Sequence, residues 1–386
     1  MKKQLTRIAS WMLLATMGQA GAFAQNIRID MNQTYPEKTI SLQKVADIKY
    51  IPLETTDEVL FNGIVTNLSA EGIAGFNKKE GDILVFDGTG KAIASFNHTG
   101  QGPNEYNKIY HLDVDWKQKE VYVQDNFRQK IRIYGLDGRH LRTIDLQETM
   151  QQGDLYSFSD THLIYYAQPK IKPVTAYEPV TLLSKKDASK VTLPFTKTDD
   201  NLVKATGGPF GDMKMSAKNV NLLCKKGDEV YVNEVTADVI YRVESNHALT
   251  PVVERTPSYQ DASGQDFFLM LTGANARYYF FKRQQALLEF QGNAATDTKS
   301  TYVAYDRKEK QLLNPTFTNE DYPSQDIPMS KLLQCAGSAN RCYLQLEAFK
   351  LKEALAEGKL KGTLKSIAEK LDEEDNPVLM VVEFKK

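Results

Sequence analysis

A strand–turn unit recurs with a spacing of 48 residues in the first third of this chain. Ile73-Ala-Gly-Phe76 returns as Val121-Tyr-Val-Gln124, Leu84-Val-Phe-Asp87 as Arg132-Ile-Tyr-Gly135, and Ala94-Ser-Phe96 as Arg142-Thr-Ile144. Each block holds short alternating strands with a Gly-containing turn before the last one. One such unit cannot bury both of its faces alone, so copies must pack on one another around a closed ring. The repeat therefore predicts an all-β fold of the β-propeller type.

The N-terminus stands apart from this pattern. Lys2, Lys3 and Arg7 precede an apolar run from Ile8 to Met17, and Ala22-Phe-Ala24 follows as an A-x-A cleavage sequence. That order predicts a signal peptide over 1–24, with the mature chain beginning at Gln25 in the periplasm or outside the cell. The run is shorter than the roughly 20 residues a bilayer span needs. No Cys follows it, so a lipid-anchored mature end is not expected, and no later stretch is apolar enough to span. Removing Lys2, Lys3 and Arg7 from 48 basic residues leaves 45 against 49 acidic ones, a balance that argues against general attraction to nucleic acid. Cys335 and Cys342 could pair across a short loop, leaving Cys224 as a thiol. Their spacing fits no zinc motif.

Strands bounded by Gly, Asp, Asn and Lys clusters continue along the chain. Blade one reads Ile64–Leu68, Ile73–Phe76, Ile83–Phe86 and Ala92–Phe96. Blade two reads Tyr110–Asp115, Val121–Gln124, Ile131–Tyr134 and Leu141–Asp145. Blade three reads Tyr156–Ser159, Leu163–Ala167, Val180–Leu183 and Lys190–Pro194. Blade four reads Val220–Cys224, Val230–Asn233, Val239–Val243 and Leu249–Val253. Blade five reads Tyr278–Phe281, Ala286–Phe290, Thr301–Tyr305 and Gln311–Leu313. Cys342–Phe349 and Val378–Phe384 begin a sixth blade, which Ile48–Glu54 completes beside the C-terminal strand, removing an exposed edge. The prediction is one six-bladed β-propeller over 25–386, closed between its N- and C-terminal strands. Between the C-terminal strands, Leu351, Leu355, Leu360, Leu364, Ile367 and Leu371 follow a spacing of mostly three or four, which predicts a helical insertion over about 350–371, broken near Gly358 or Gly362.

Three stretches carry a family likeness: IPLETTDEVL (Ile51 to Leu60), GQGPNEY (Gly100 to Tyr106) and DNPVLMVVEF (Asp375 to Phe384). On these the chain resembles the secreted bacterial six-bladed β-propeller family related to NHL-type propellers. The resemblance spans essentially the whole mature length. It implies the fold and export, and little about chemistry.

In a propeller the turns between strands A and B and between C and D leave one face, and the B–C and D–A connections leave the other. Here the first set reads as tight turns and the second as long connections, including Asn97–Ile109, Gln168–Pro179, Thr196–Asn219, Glu254–Arg277, Gly292–Ser300 and Asn314–Pro328, with the helical insertion assigned to the same side. Long connections tend to carry function. A ligand is therefore expected on that face, against Gln101, Glu105, Tyr106, Arg128 and Tyr166. Gly100 and Gly102 permit positive φ and could aim N–H groups at an anion, or the loop could be a rigid linker.

No nucleophile elbow, zinc signature or dinucleotide fingerprint is present, so no catalytic residue, metal ligand or cofactor is assigned. Asp113-Val-Asp115 places two carboxylates on one side of an inner strand, and His98, Glu105 and His111 could meet at the channel mouth. The leading reading is an exported binding, sensing or scaffold module for a small glycan, peptide or protein loop. The alternative is a propeller-type lyase or lactonase with a metal ion in the channel.

Overall fold

In the computed structural model, described for residues 26–386 apart from 126–128, 147–149, 152–153, 167, 170–176, 198–201, 207–212, 217–221, 262–266, 292–293, 296–298 and 333–339, the repeat becomes a repeat of register. Ile73 pairs with Phe86 and Phe76 with Ile83 in blade one. In blade two, 48 residues on, Val121 pairs with Tyr134 and Gln124 with Ile131. Blade one comprises Ile64–Leu68, Gly72–Phe76, Ile83–Asp87 and Ala92–Phe96, and blade two His111–Asp115, Glu120–Asp125, Lys130–Gly135 and His140–Asp145. The middle strands lie between neighbouring blades and are buried on both faces, as Ile83 to Phe86 show. The outer strand at the rim alternates between half-buried and exposed. Each buried Val, Leu, Ile or Phe contributes about 1.5–3 kcal/mol, so the blades are held chiefly by their neighbours.

Blades three and four follow the predicted order: Leu155–Ser157, His162–Tyr166, Val180–Ser184 and Lys190–Thr192, then Leu223–Lys226, Glu229–Val232, Val239–Val243 and Leu249–Thr256. Blade five differs from the prediction. Its inner strand is Phe267–Ala274, inside a stretch read as a loop, and Tyr278–Gln285 is the second strand rather than the first. The two apolar runs form one long hairpin with its turn at Asn275 to Arg277. Leu287–Gln291, read as the second strand, leaves the blade altogether. It pairs in parallel with Leu202–Thr206, and with Met213–Ser216 and Ala294–Ala295 it builds an accessory four-stranded sheet. The connections on that face are thus partly structured.

Ring closure is as expected. Ala46–Pro52 pairs antiparallel with Val378–Phe384, which pairs with the inner strand Arg341–Leu346, making a three-stranded sixth blade. The chain is a six-bladed β-propeller. The N-terminal segment does more than close it. Ile27–Asp30 lies parallel along the outer strand of blade four, and Glu37–Ser41 along that of blade five. Arg283 fixes the bend between them by donating from Nη1 to the carbonyls of Met31 (3.2 Å) and Gln33 (2.6 Å).

The insertion forms two helices, Ala348–Ala356 and Gly362–Ala368, separated where Gly358 and Gly362 take positive φ of 69° and 51°. It joins the first and second strands of blade six, so it belongs to the A–B connections. The assignment of this insertion to the long-loop side is corrected on that ground. Its Leu351, Leu360 and Leu364 pack in the core between blades five and six. Among the described residues, no helix is long and apolar enough to cross a membrane.

Candidate functional site

The GQGPNEY loop is a staple between blades one and two. Tyr106 is fully buried; its hydroxyl donates to the Gly81 carbonyl (2.7 Å) and accepts from the His98 N–H (3.0 Å). Burial pushes its phenol up to about 12. Tyr134 donates to the Asn104 carbonyl (2.7 Å), and Asn107 N–H donates to Asp125, which also holds buried Arg132 (3.1 Å). Neither Gly100 nor Gly102 has positive φ, which corrects the expected reason for these glycines. A Cβ at Gly100 would lie 2.0 Å from the Glu105 carboxylate, and that carboxylate accepts from Gly102 N–H (2.6 Å). Of the two readings of this loop, the rigid linker fits: the Gly102 N–H faces Glu105. Gln101 remains exposed at the loop tip. Arg128 and the stretch Gly207 to Gly211 lie outside the described residues.

The inward carboxylates are neither solvated nor open. Asp113 is fully buried and accepts from Asn67 Nδ2 (2.7 Å), Ser157 N–H (2.7 Å) and Lys225 Nζ (3.2 Å), linking blades one to four. Asp115 accepts from Lys185 Nζ (2.6 Å); burial alone would raise its pKa, but Lys185 and Gln118 N–H hold it below the usual range. A lysine neutralises each carboxylate, so this pair acts as a pin across the blades. The histidines do not converge either. His98 lies on Tyr134 with its Nε2 at 2.8 Å from the Gly138 carbonyl. His111 stands edge-on to Tyr156 with Nε2 sealed from solvent and without a hydrogen-bond partner, and burial pushes it down to about 4 despite nearby Asp113. Among the described residues no group of three or more His, Cys, Asp or Glu is placed to hold a metal ion.

A cavity of about 140 Å³ opens between blades three and four on the long-loop face. Its buried floor is Phe195, Lys197, Glu234 and Thr236; Thr196 and Gln260 are exposed at its mouth, with Ala237 and Asp238 between. Glu234 lies just after the second strand of blade four, early in the loop to the third. Its Oε2 meets Lys197 Nζ (2.8 Å) and the Tyr166 hydroxyl, and its Oε1 accepts from Thr236 N–H (3.3 Å) and Oγ1 (3.1 Å). Tyr166 is thus fully buried behind the cavity, its pKa raised by burial and by Glu234. Asp238 accepts from Ser258 Oγ (2.6 Å) and Tyr259 N–H (2.7 Å). Lys197, Glu234 and Asp238 were not singled out in the sequence. The only cue was a charged residue in each of two connections on the face already favoured.

A family model described as a domain of unknown function, DUF4934, matches residues 26–383, the whole ring. The chain belongs to the DUF4934 family. Within solved structures, this member is similar to a Bacteroides fragilis protein described as a candidate for export, at 14% identity and a TM-score of 0.63, covering 93% of this chain and 99% of that one. That likeness shows the fold. A DUF4221 family member from Bacteroides vulgatus aligns at 8% identity and a TM-score of 0.49, covering 89% and 98%. A virginiamycin B lyase from Staphylococcus aureus aligns at 10% identity and a TM-score of 0.40, covering 88% and 100%, too distant to bear on activity. No curated protein matches the chain.

Proposed function

We propose that this DUF4934 propeller is an exported binding module that holds a small glycan, peptide or protein loop on its long-loop face. The observation that carries the reading is the cavity between blades three and four, where a buried polar floor meets an exposed mouth. Export is supported by the three-part N-terminal sequence and by the description of the Bacteroides fragilis relative. At about 140 Å³ the space equals four or five waters at ~30 Å³ each, well below the ~300 Å³ at which drug-sized sites begin. It suits one sugar unit or one side chain of a larger ligand, whose remainder would lie across the face towards Gln101. Tyr106 and Tyr166 then serve by holding the loop and the floor.

The test is a thermal-shift and calorimetric screen of glycans and peptides against the mature protein and Thr196→Trp, which fills the mouth from an exposed position. A ligand that binds the first and not the second, at equal thermal stability, supports the reading. Ligands that bind both equally would place recognition elsewhere.

A further inference from the structure

The charge balance of the cavity points to what fills it. Resting on the binding reading above, we propose that the cavity recognises an ammonium group on a short aliphatic chain, with Asp238 as its counter-ion. Glu234 has no capacity left: it receives four donors, including Lys197, and a carboxylate offers about four lone-pair sites. The Lys197–Glu234 pair is therefore electrically closed.

Asp238 is different. Among the described residues it accepts from Ser258 Oγ and Tyr259 N–H alone, which leaves about two lone-pair sites, and no lysine or arginine of them lies within ion-pair distance. The cation whose field reaches it is Arg255, which donates from Nε to the Pro257 carbonyl (3.3 Å) and from Nη1 to the Phe267 carbonyl (2.8 Å), with its guanidinium over the Tyr259 ring. The described residues of the lining thus carry one net negative charge beside the apolar walls of Phe195 and Ala237. An anion entering would meet the unfilled acceptor sites of Asp238, whereas a methylene chain ending in –NH₃⁺ meets apolar wall first and carboxylate second. Volume admits one such tail and not a whole peptide. A lysine side chain has both features, and an amino sugar has the ammonium alone, set on a hydroxylated ring.

The experiment titrates Nα-acetyl-lysine methylamide, its Nε-acetylated form, glucosamine and glucose into the full mature protein, alongside Asp238→Asn and Thr196→Trp. Asparagine keeps an acceptor for Tyr259 N–H, and melting confirms that each variant folds. The expected result is that the lysine probe or glucosamine binds, and that acetylation, removal of the amine or Asp238→Asn each weakens binding at least about tenfold, the equivalent of ~1.4 kcal/mol for one lost charge-assisted contact. Which of the two amines binds identifies the source. Equal binding of a neutral probe and its amine overturns the proposal. If amines fail but a neutral glycan binds and is lost in Thr196→Trp, the ammonium assignment falls and the binding reading stands.

Discussion

Replacing His111 and Asp154 separately should tilt the pH dependence of stability in opposite directions. Asp154 leads into the inner strand of blade three. Its Oδ2 accepts from the N–H groups of Leu222 (2.8 Å) and Leu223 (2.9 Å), and burial pushes it from 3.8 up to about 6. His111 is pushed from 6.5 down to about 4 by burial. A histidine that is neutral when folded contributes stability that is full above pH 6.5 and lost as pH falls towards 4. A carboxyl raised on folding acts the other way: its penalty is full above pH 6 and disappears as pH falls towards 3.8. At ~1.36 kcal/mol per tenfold step the two amount to about 3.4 and about 3 kcal/mol, so over nearly one window they largely cancel. With an unfolding entropy of ~2.1 cal/mol/K per residue over roughly 360 residues, 3 kcal/mol corresponds to about 4 °C in Tm. Melting between pH 7 and 4 should therefore show His111→Gln gaining about 4 °C on the wild type as pH falls, and Asp154→Asn losing about as much. The variant-minus-wild-type difference is the readout, because carboxylates such as Asp115 tilt every protein alike. Differences that stay flat across the window for both variants would refute the burial argument.

Lys225→Met leaves Asp113 with an unbalanced buried charge and should cost about 3–5 kcal/mol in urea unfolding, much of it restored by adding Asp113→Asn; a cost under about 1 kcal/mol would show that the pin is not holding the blades. Tyr106→Phe removes two hydrogen bonds at the staple and should cost about 2 kcal/mol without altering ligand affinity. Glu105→Ala should behave likewise, whereas a loss of affinity at unchanged stability would make Glu105 a ligand contact. Truncation after residue 376 removes Val378–Phe384, the shared partner of the other two strands of the sixth blade, so cooperative melting should vanish. Cys224, buried with its thiol on the Leu271 carbonyl and pushed up to about 12, should resist thiol reagents in the native protein and react fully once unfolded.

Much of the ring was legible because a blade is a local object. The period of 48, the tight C–D turns and the strands left over at both ends show in short stretches of sequence, and the structure keeps each, pairing the end strands with one another. What escaped depends on pairing at a distance. Phe267–Ala274 and Tyr278–Gln285 both open on an apolar run, and only the hairpin between them decides which is innermost. Ile27–Asp30 and Glu37–Ser41 gain their partners some 200 residues or more away. The same limit applies to the cavity. Lys197 and Glu234 are ordinary loop charges until two connections bring them to 2.8 Å, while Tyr106, chosen as a ligand residue for its ring and hydroxyl, spends both inside the staple.

The most direct test of the central claim is hydrogen exchange measured with and without the tightest ligand from the screen. If the long-loop cavity is the binding site, protection should rise in peptides covering 195–197, 234–238 and 258–260. Protection confined instead to the opposite face, at the turns around Asp87 to Gly90 and Asp137 to Arg139, would contradict it.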